Sequence, residues 1–291
     1  MKPAPVLKWA GSKRALAEVV RRAFDGPPPR RHVEPFAGAA CVHVARVNAG
    51  ELAGRGALLA DACPPLVAFY RGLRIDPGAV ADAADTMRWG DGWREWYAPA
   101  RAQLNALLAG MNQWSRMAPA EAALFLWVNR ACFNGLFRVN ARGEFNTPAG
   151  AYQQLARPSR TRLMALATAL QPVSLWCADY AETLAACGEG DHVYVDPPYL
   201  GTFAGYTSGT WDDAQHARLA LAAHQARLRG AHVVASNADV PRVRALWCGL
   251  GFTARPVAAY HSVGAGADRR GRVAELLLLG PPAGRSKKYS T

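Results

Sequence analysis

The chain has 291 residues, of which 51% are hydrophobic, and it contains nine Trp, nine Tyr and nine Phe. This composition excludes an intrinsically disordered protein, and the length allows one large or two modest domains. Lys and Arg number 34 against 22 Asp and Glu, which gives a net charge of +12. A basic excess of that size favours a polyanionic partner, although some proteins are basic for solubility alone.

The cysteine pattern and the apolar runs further limit the class of protein that the sequence allows. Six cysteines are scattered along the chain, with no C-x-x-C pair and no histidine at zinc-finger spacing. We therefore expect reduced thiols and no metal requirement. The longest apolar run, around residues 276–279, is too short to span a bilayer, and residues 1–8 lack the apolar stretch of a signal peptide. A protein without a membrane partner, in a reducing compartment, is expected.

Short apolar runs predict the strands of an α/β sheet, with helical patterns between them. The predicted strands cover 31–36, 57–60, 173–177, 192–195 and 232–236, and an antiparallel pair is predicted at 257–262 and 273–279. Ser12, Asp212 and Asp239 are predicted N-caps of helices over 13–24, 213–229 and 240–250. Strands that alternate with helices predict a mostly parallel, three-layer sheet, which the final hairpin closes.

The middle of the chain interrupts this alternation. From about residue 63 to residue 158 the periodicity is helical, and no parallel strand is predicted. The end of this segment, 134–148, is rich in Asn, Gly and Arg and predicts a loop or hairpin. We therefore predict one domain formed by residues 1–62 and 159–291, and a second domain inserted at 63–158.

The tetrapeptide Asp196-Pro197-Pro198-Tyr199 directly follows the fourth predicted strand. Its prolines end the strand and stiffen the backbone at the edge where open α/β sheets bind ligands. A carboxylate, an aromatic ring and backbone carbonyls are thereby presented together. This set suits a flat amino group, such as the exocyclic amine of a nucleobase. The alternative is an ordinary turn with an Asp cap and a packed Tyr.

Other candidate ligand-binding residues follow the first three strands. Glu34 and Gly38 belong to a Glu-Pro-Phe-Ala-Gly turn after the first strand, where a glycine lets the backbone approach a ligand. Asp61 ends the second strand, where an acid commonly binds ribose hydroxyls, and Asp179 follows the third. Asp61 could instead merely cap the next helix. Asp179 and Asp196, two acids at adjacent strand ends, predict a ligand that carries hydroxyls and amines.

Two further segments combine positive charge with aromatic rings. The segment Lys8-Trp9-Ala10-Gly11-Ser12-Lys13 suits a carboxylate or a phosphate, or is an ordinary basic arm. The stretch 129–148 is rich in Arg and Asn, with interleaved Leu and Phe. Arg reads guanine, Asn reads adenine, and apolar side chains can enter between base steps. This stretch therefore favours nucleic acid over a solvated, basic turn.

Taken in order, these motifs resemble those of Dam-type DNA adenine-N6 methyltransferases, the alpha group of the D12 class. The resemblance runs from Lys8 to about Leu279 and includes Ser236-Asn237 and Ala274-Glu275-Leu276-Leu277. It implies a Rossmann-like class I methyltransferase sheet and an inserted helical target-recognition domain with a β-hairpin loop. It also implies methyl transfer from S-adenosyl-L-methionine to the N6 amine of an adenine flipped out of double-stranded DNA, within GATC or a related short site.

The resemblance assigns roles to individual residues. The catalytic residues would be Asp196, Pro197, Pro198 and Tyr199. The cofactor would contact Trp9, Ala10, Gly11, Lys13, Glu34, Phe36, Gly38, Asp61, Asp179, Tyr180 and Asp196. DNA would contact Lys8, Arg130, Asn134, Leu136, Arg138, Asn140, Pro148 and Tyr152. Among these, Lys8, Leu136, Arg138 and Pro148 match positions that read base pairs, whereas Asn134 and Tyr152 match positions beside the target base.

Four residues depart from the family's pattern. Ala40 replaces a glycine, Cys41 replaces a serine, Ser12 replaces a glycine, and Ala62 stands where an asparagine is expected. These changes leave the course of the backbone intact but bear on cofactor affinity. Further phosphate contacts are expected from Arg130, Arg142, Arg269, Arg270 and Arg272.

Two other functions are compatible with the sequence. One is a methyltransferase that acts on RNA or on cytosine N4; the stretch 129–148 and an Asp at position 196 favour adenine in DNA instead. The other is a catalytically weak or inactive DNA-binding homologue, against which Asp196, Lys13 and Asp61 argue. We expect a cytoplasmic protein, encoded by a bacterium or a phage and associated with DNA, that acts as a monomer or weak dimer.

Overall fold

A seven-stranded sheet forms the centre of the computed structural model, which describes residues 1–199, 211–260 and 272–283. Its strands are β1 (Arg31–Glu34), β2 (Gly56–Asp61), β3 (Val173–Cys177), β4 (Asp191–Val195), β5 (His232–Ala238), β6 (Thr253–Tyr260) and β7 (Arg272–Gly280). They lie in the order β3-β2-β1-β4-β5-β7-β6. The first five are parallel, and β7 is antiparallel to both β5 and β6. The predicted sheet with its closing antiparallel hairpin is confirmed.

Ten α-helices surround the sheet within the part of the chain that the structure describes. They are α1 (Ala17–Arg21), α2 (Cys41–Asn48), α3 (Pro64–Ile75), α4 (Pro77–Asp85), α5 (Tyr97–Leu108), α6 (Pro119–Ala131), α7 (Arg160–Leu170), α8 (Tyr180–Ala185), α9 (Asp213–Leu228) and α10 (Pro241–Gly249). One face of the sheet is covered by α1, α2, α3 and α7, and the other by α8, α9 and α10. This is the predicted three-layer α/β architecture.

Two of the predicted helix caps are wrong. Ser12 does not cap the first helix, which begins only at Ala17, because the Ser12 hydroxyl lies 3.0 Å from the Cys41 Sγ and residues 9–12 form a turn. Asp239 does not cap α10, because its carboxylate accepts a hydrogen bond from Arg244 Nε at 2.6 Å. Asp212 does cap α9, where it accepts a hydrogen bond from the Gln215 amide at 2.9 Å. β6 begins before the start of the predicted strand 257–262, whose last two residues lie outside the described residues, and β7 extends one residue beyond each end of the predicted strand 273–279.

The segment between β2 and β3 supplies helices α3 to α7. One buried hydrophobic cluster joins them to the sheet: Leu59 of β2 and Leu175 of β3 share it with Phe69 of α3 and Trp127 of α6. The helices of the segment therefore pack onto the sheet through a common core. The division of the chain into two domains stays a prediction.

The predicted hairpin at the end of this segment is present. The amide of Asn146 donates to the Arg138 carbonyl at 3.0 Å, and the amide of Asn140 donates to the Glu144 carbonyl at 2.9 Å. Phe145 is buried in the hydrophobic cluster and anchors the hairpin to the helices. The charged residues of the tip, Arg142 and Glu144, are exposed.

Two negative findings apply to residues 1–199, 211–260 and 272–283 only. No helix there is long and apolar enough to cross a membrane. No group of three or more His, Cys, Asp or Glu side chains there is placed to hold a metal ion.

Candidate active site

A cavity of about 580 Å³ opens at the carboxyl ends of the parallel strands. Every residue predicted for cofactor binding or catalysis lines it: Trp9, Ala10, Gly11, Lys13, Glu34, Phe36, Gly38, Asp61, Asp179, Tyr180, Asp196, Pro197, Pro198 and Tyr199. These residues come from five separate stretches of sequence. The parallel sheet brings them together because each stretch adjoins either a strand end or the turn that packs over those ends.

Asp61 connects the ends of the first two strands of the chain. Its Oδ2 accepts a hydrogen bond from the Gly38 amide at 3.1 Å, and its Oδ1 accepts one from the Cys63 amide at 3.0 Å. Burial raises the pKa of the Asp61 carboxyl to about 6. Each oxygen keeps a second lone pair, so that Asp61 can still accept hydrogen bonds from hydroxyl groups in the cavity.

The turn between β1 and α2 requires unusual backbone conformations. Gly38 has φ +46, and a Cβ at this position would lie 2.9 Å from Cδ1 of the Trp9 ring. Ala40, the N-cap of α2, has φ 55 in the left-handed region, where a non-glycine residue costs about 1–2 kcal/mol. A glycine, which the resemblance leads us to expect at this position, would adopt this conformation without that cost.

Aromatic rings form one wall of the cavity. Phe36 stacks on Tyr180 with ring centroids 5.5 Å apart, and Trp211 meets both rings edge-on at 5.8 and 5.6 Å. Arg218 lies over the Tyr180 ring at 5.1 Å, and its guanidinium is 3.2 Å from Asp179 Oδ1. The wall thus combines apolar faces with an ion pair at its edge, an arrangement that suits a planar heterocycle with polar substituents.

Asp196 is the charged centre of the cavity. Its Oδ1 lies 3.0 Å from Lys13 Nζ and accepts a hydrogen bond from the Ser236 hydroxyl at 2.7 Å. Burial raises the pKa of the Asp196 carboxyl, and the Lys13 charge and the Ser236 hydrogen bond both oppose this rise. Lys13 also donates to the Gly11 carbonyl at 2.8 Å. The lysine predicted as a cofactor contact therefore lies against the carboxylate that is predicted to be catalytic.

Tyr199 is oriented by a residue from the end of the chain. Its hydroxyl donates to Glu275 Oε2 at 2.8 Å, and Lys13 Nζ lies 4.6 Å from its ring centroid. Glu275 belongs to β7 and is 2% exposed. The aromatic ring of the tetrapeptide is thus fixed both at its hydroxyl and over its face.

Glu34 lines the cavity, but its carboxylate is occupied within the protein. Glu34 Oε1 accepts a hydrogen bond from the His43 amide at 2.6 Å and lies 2.8 Å from His32 Nε2. Burial raises the pKa of the Glu34 carboxyl to about 7. The contacts tie β1 to the first turn of α2, so that Glu34 holds the turn that carries Gly38.

Four of the residues predicted to bind DNA form one cluster beside the cavity. Lys8 Nζ lies 3.5 Å from the centroid of the Tyr152 ring and donates to the Arg130 carbonyl at 3.1 Å. The Tyr152 hydroxyl accepts from the Asn134 amide at 3.1 Å and donates to the Cys132 carbonyl at 3.2 Å. Burial and the nearby Arg130 lower the pKa of Lys8 to about 8.

The other predicted DNA contacts are distributed over the hairpin and its base. Leu136 lines the cavity, and Pro148 is exposed. Arg138 Nε donates to Asn146 Oδ1 at 2.7 Å across the hairpin, and Asn140 Oδ1 accepts from the turn amides of residues 142 and 144. Arg269 and Arg270 lie outside the described residues, and Arg272 is the first residue of β7.

The contacts of Arg130 point to an internal role. Its guanidinium donates to the Val6 carbonyl at 3.0 Å and to the Ala156 carbonyl at 2.8 Å. These bonds join the amino-terminal segment to the residues that precede α7. Two of the five N–H donors of the guanidinium are therefore used within the folded chain.

Several residues of the site received no role from the sequence. Three of them line the cavity at the start of α9: Trp211, Gln215 and Arg218. Two others hydrogen-bond the tetrapeptide, Ser236 at Asp196 and Glu275 at Tyr199, and the Tyr194 hydroxyl contacts Ser236. Ser236 and Glu275 belong to stretches that the resemblance covers, which is the one signal that could have indicated them. Trp211 precedes the capping residue of a helix and carries no motif.

The strand order, the cavity at the carboxyl ends of the strands, the acid at the end of β2 and the tetrapeptide at the end of β4 define an S-adenosylmethionine-dependent methyltransferase with a class I sheet.

Comparison with known proteins specifies the family. The sequence model of the D12 class N6 adenine-specific DNA methyltransferases matches residues 9–261. A DNA adenine methylase of Vibrio cholerae is 34% identical over 284 residues, which cover 95% of each chain. The retron Ec67 DNA adenine methylase of Escherichia coli is 32% identical over 275 residues, 94% of this chain and 90% of that one.

The chain belongs to the D12 class of N6 adenine-specific DNA methyltransferases, a family that uses S-adenosylmethionine. Among solved structures, a SAM-dependent methyltransferase from Agrobacterium tumefaciens aligns over 93% of this chain and 62% of that one, at 12% identity and a TM-score of 0.42.

Proposed function

We propose that this protein is an active enzyme that methylates adenine N6 in double-stranded DNA within GATC or a related short site. The supporting observation is that all predicted cofactor and catalytic residues line one cavity, in which a lysine and a serine hold the Asp196 carboxylate. A homologue that had kept only DNA binding would have no use for these contacts.

The cavity residues fit S-adenosylmethionine. The volume of about 580 Å³ lies in the usual range for small-molecule sites. Asp61 can accept ribose hydroxyls, and the stacked rings of Phe36 and Tyr180 offer apolar surface to an adenine ring. Asp179, at the edge of this wall, can accept from an amino group. When bound, S-adenosylmethionine supplies an electrophilic methyl group on a sulfonium.

Asp196 and Pro197 would prepare the target amine for methylation. The lone pair of an adenine amino group is delocalised into the ring, which makes this nitrogen a poor nucleophile. Hydrogen bonds from the amine to the Asp196 carboxylate and the Pro197 carbonyl would draw the nitrogen towards tetrahedral geometry and free the lone pair. Alignment of these groups supplies much of the acceleration. Tyr199 would stack on the base, with its ring fixed by Glu275.

The target adenine has to leave the duplex to reach this cavity. Unstacking costs roughly a few kcal/mol, which contacts in the rest of the interface offset. Asn134 and Tyr152 would contact the stack beside the extruded base, and Lys8, Leu136, Arg138 and Pro148 would read base pairs. In this division, residues 63–158 form the target-recognition domain, and residues 1–62 with 159–291 form the catalytic domain.

We expect the enzyme to act on DNA in the cytoplasm of a bacterial or phage-infected cell, as a monomer or weak dimer and without a metal ion. The internal contacts of Arg130 favour a structural role for that residue over the DNA contact predicted from the sequence.

One experiment tests the proposed function and the role of Asp196 together. The protein and its Asp196→Ala variant are expressed in a host that lacks DNA methylation, and N6-methyladenine is mapped across the genome by single-molecule sequencing. We expect methylation of one short motif with the wild type and none with Asp196→Ala, while the variant still binds duplex DNA. Methylated cytosine or unmodified DNA with the wild type, or near-normal methylation with the variant, would contradict the proposal.

A further inference from the structure

A chain of buried hydroxyl groups reaches the Asp196 carboxylate from inside the sheet. Ser236, on β5, donates to Asp196 Oδ1 at 2.7 Å. Tyr194, on β4, has its hydroxyl 2.8 Å from the Ser236 Oγ. Ser236 is 0% exposed and Tyr194 is 2% exposed. Both side chains lie on the face of the sheet opposite Phe36. The hydroxyl groups therefore approach the carboxylate from the side of α1 and α2.

The chemistry of the groups fixes the direction of this chain. An ionised carboxylate can only accept hydrogen bonds, so the single hydroxyl proton of Ser236 points to Asp196. The Ser236 oxygen must then act as acceptor towards Tyr194, and Tyr194 is the donor. Tyr194 therefore donates to Ser236, and Ser236 donates to Asp196 Oδ1.

The two oxygens of Asp196 are consequently not equivalent. Oδ1 receives both Ser236 and Lys13. Within residues 1–199, 211–260 and 272–283, no hydrogen bond or ion pair joins Oδ2 to another side chain. Asp196 lines the cavity with a side chain that is 16% exposed, so Oδ2 is the oxygen left to bind a ligand.

We infer that Ser236 and Tyr194 are positioning residues for methyl transfer: they anchor Asp196 Oδ1, so that Oδ2 is held in place to accept the hydrogen bond of the target amine. The inference rests on the proposed function. Pro197 and Pro198 stiffen the backbone, but the last torsion of an Asp side chain is broad and roughly two-fold. A donor at Oδ1 restricts that torsion, which the prolines cannot do.

The same contacts act on the charge of Asp196. The groups that face it are Lys13 from the amino-terminal segment, Tyr194, Tyr199, Cys41 of α2 and Glu275 of β7. Burial and Glu275 raise the pKa of the Asp196 carboxyl, and Lys13 and Ser236 lower it. Loss of the Ser236 hydroxyl should therefore raise this pKa further, and the acid limb of the pH profile of kcat should move to higher pH.

The test compares Ser236→Ala and Tyr194→Phe with the wild type, with Tyr97→Phe as the matched control. Tyr97 is also a buried tyrosine, 4% exposed, but its hydroxyl donates to the Thr147 carbonyl, away from Asp196. For each protein, kcat, the KM values for S-adenosylmethionine and for duplex DNA, the pH profile and the unfolding temperature are measured. The unfolding temperature establishes that each variant is folded.

For Ser236→Ala we expect kcat to fall about 10- to 100-fold, the cost of a misplaced catalytic group, with both KM values nearly unchanged and the acid limb moved to higher pH. Tyr194→Phe, which keeps Ser236 in place, should lower kcat about fivefold, the effect of one ordinary hydrogen bond, with a smaller shift in the same direction. Tyr97→Phe should change neither kcat nor the acid limb.

Two outcomes would overturn the inference, and they are distinguishable. If the wild type methylates adenine and both Ser236→Ala and Tyr194→Phe keep wild-type kcat and an unmoved acid limb, the positioning role alone is wrong. If the wild type transfers no methyl group to adenine, the proposed function fails and the inference falls with it. If Ser236→Ala does not fold, Tyr194→Phe decides, because it removes one hydroxyl and leaves the ring volume unchanged.

Discussion

At the scale of single residues, the site depends on small side chains as much as on charged ones. The Gly38 amide donates to Asp61, its carbonyl accepts from the Tyr70 hydroxyl at 2.7 Å, and its Cα borders the Trp9 ring. A glycine is needed there both for its φ of +46 and for the absence of a Cβ. Ala40, two residues later, shows that the chain tolerates a left-handed non-glycine residue where no ring stands in the way.

Gly38→Ala should therefore damage cofactor binding more than folding. The added methyl group would displace Trp9 and shift the turn that holds Asp61, so we expect S-adenosylmethionine affinity to fall about tenfold or more, or about 1.4 kcal/mol. Gly54→Ala is the matched control, because Gly54 has φ +67 and nothing within 4 Å of the added Cβ. In both variants the left-handed conformation should cost about 1–2 kcal/mol of stability. Equal cofactor affinity in the two variants, measured by calorimetry, would contradict this account.

At the scale of elements, two asparagine side chains fasten separate segments to the helices of the insertion. Asn129 of α6 accepts from the Lys8 amide at 2.9 Å and donates to the Lys8 carbonyl at 2.7 Å. Asn105 of α5 accepts from the Phe145 amide at 2.7 Å and donates to the Phe145 carbonyl at 3.1 Å. The first contact docks the segment that carries Trp9 and Lys13, and the second docks the hairpin that carries Arg138.

The two asparagines should affect different ligands when they are removed. Asn129→Ala leaves the backbone polar groups of Lys8 without these partners and should cost about 2 kcal/mol of stability. It should also lower the affinity for S-adenosylmethionine. Asn105→Ala should loosen the hairpin, weaken specific DNA binding and leave cofactor affinity unchanged. Calorimetry with the cofactor and a DNA titration on each variant measure both effects. The interpretation is wrong if both variants lose affinity for the same ligand to the same extent.

The sequence predicted those parts of the fold and site that are local in the chain. Most strand positions could be predicted, and so could the order of the motifs and the place of the tetrapeptide, Glu34, Phe36 and Gly38 in the cavity. Each of these motifs is a short run next to a strand end. The function of Asn129 could not be predicted. It lies in a stretch that resembles a nucleic-acid contact, but its side-chain amide binds Lys8, which is 121 residues away. Ser236 and Tyr194 likewise act only through a contact between strands that are 42 residues apart. The late start of α1 has the same cause, since Ser12 bonds to Cys41.

At the scale of the whole molecule, the net charge of +12 makes DNA binding strongly dependent on salt. The logarithm of the binding constant should fall against the logarithm of salt concentration with a slope of about −0.9 for each phosphate neutralised. The sequence suggested Arg130 and Arg142 as equivalent phosphate contacts, but the fold separates them. Arg142 is exposed at the tip of the hairpin, whereas the Arg130 guanidinium is bound to two backbone carbonyls.

Replacement of these two arginines should therefore have opposite signatures. Arg142→Ala should reduce the magnitude of the salt slope by about one and leave the unfolding temperature unchanged. Arg130→Ala should lower the unfolding temperature, because the Val6 and Ala156 carbonyls lose their donors, and should not change the slope by a full unit. Arg244→Ala, which removes a pair with Asp239 at the start of α10, serves as the control for charge alone. A full unit of slope lost in Arg130→Ala with unchanged stability would restore that residue to the DNA interface.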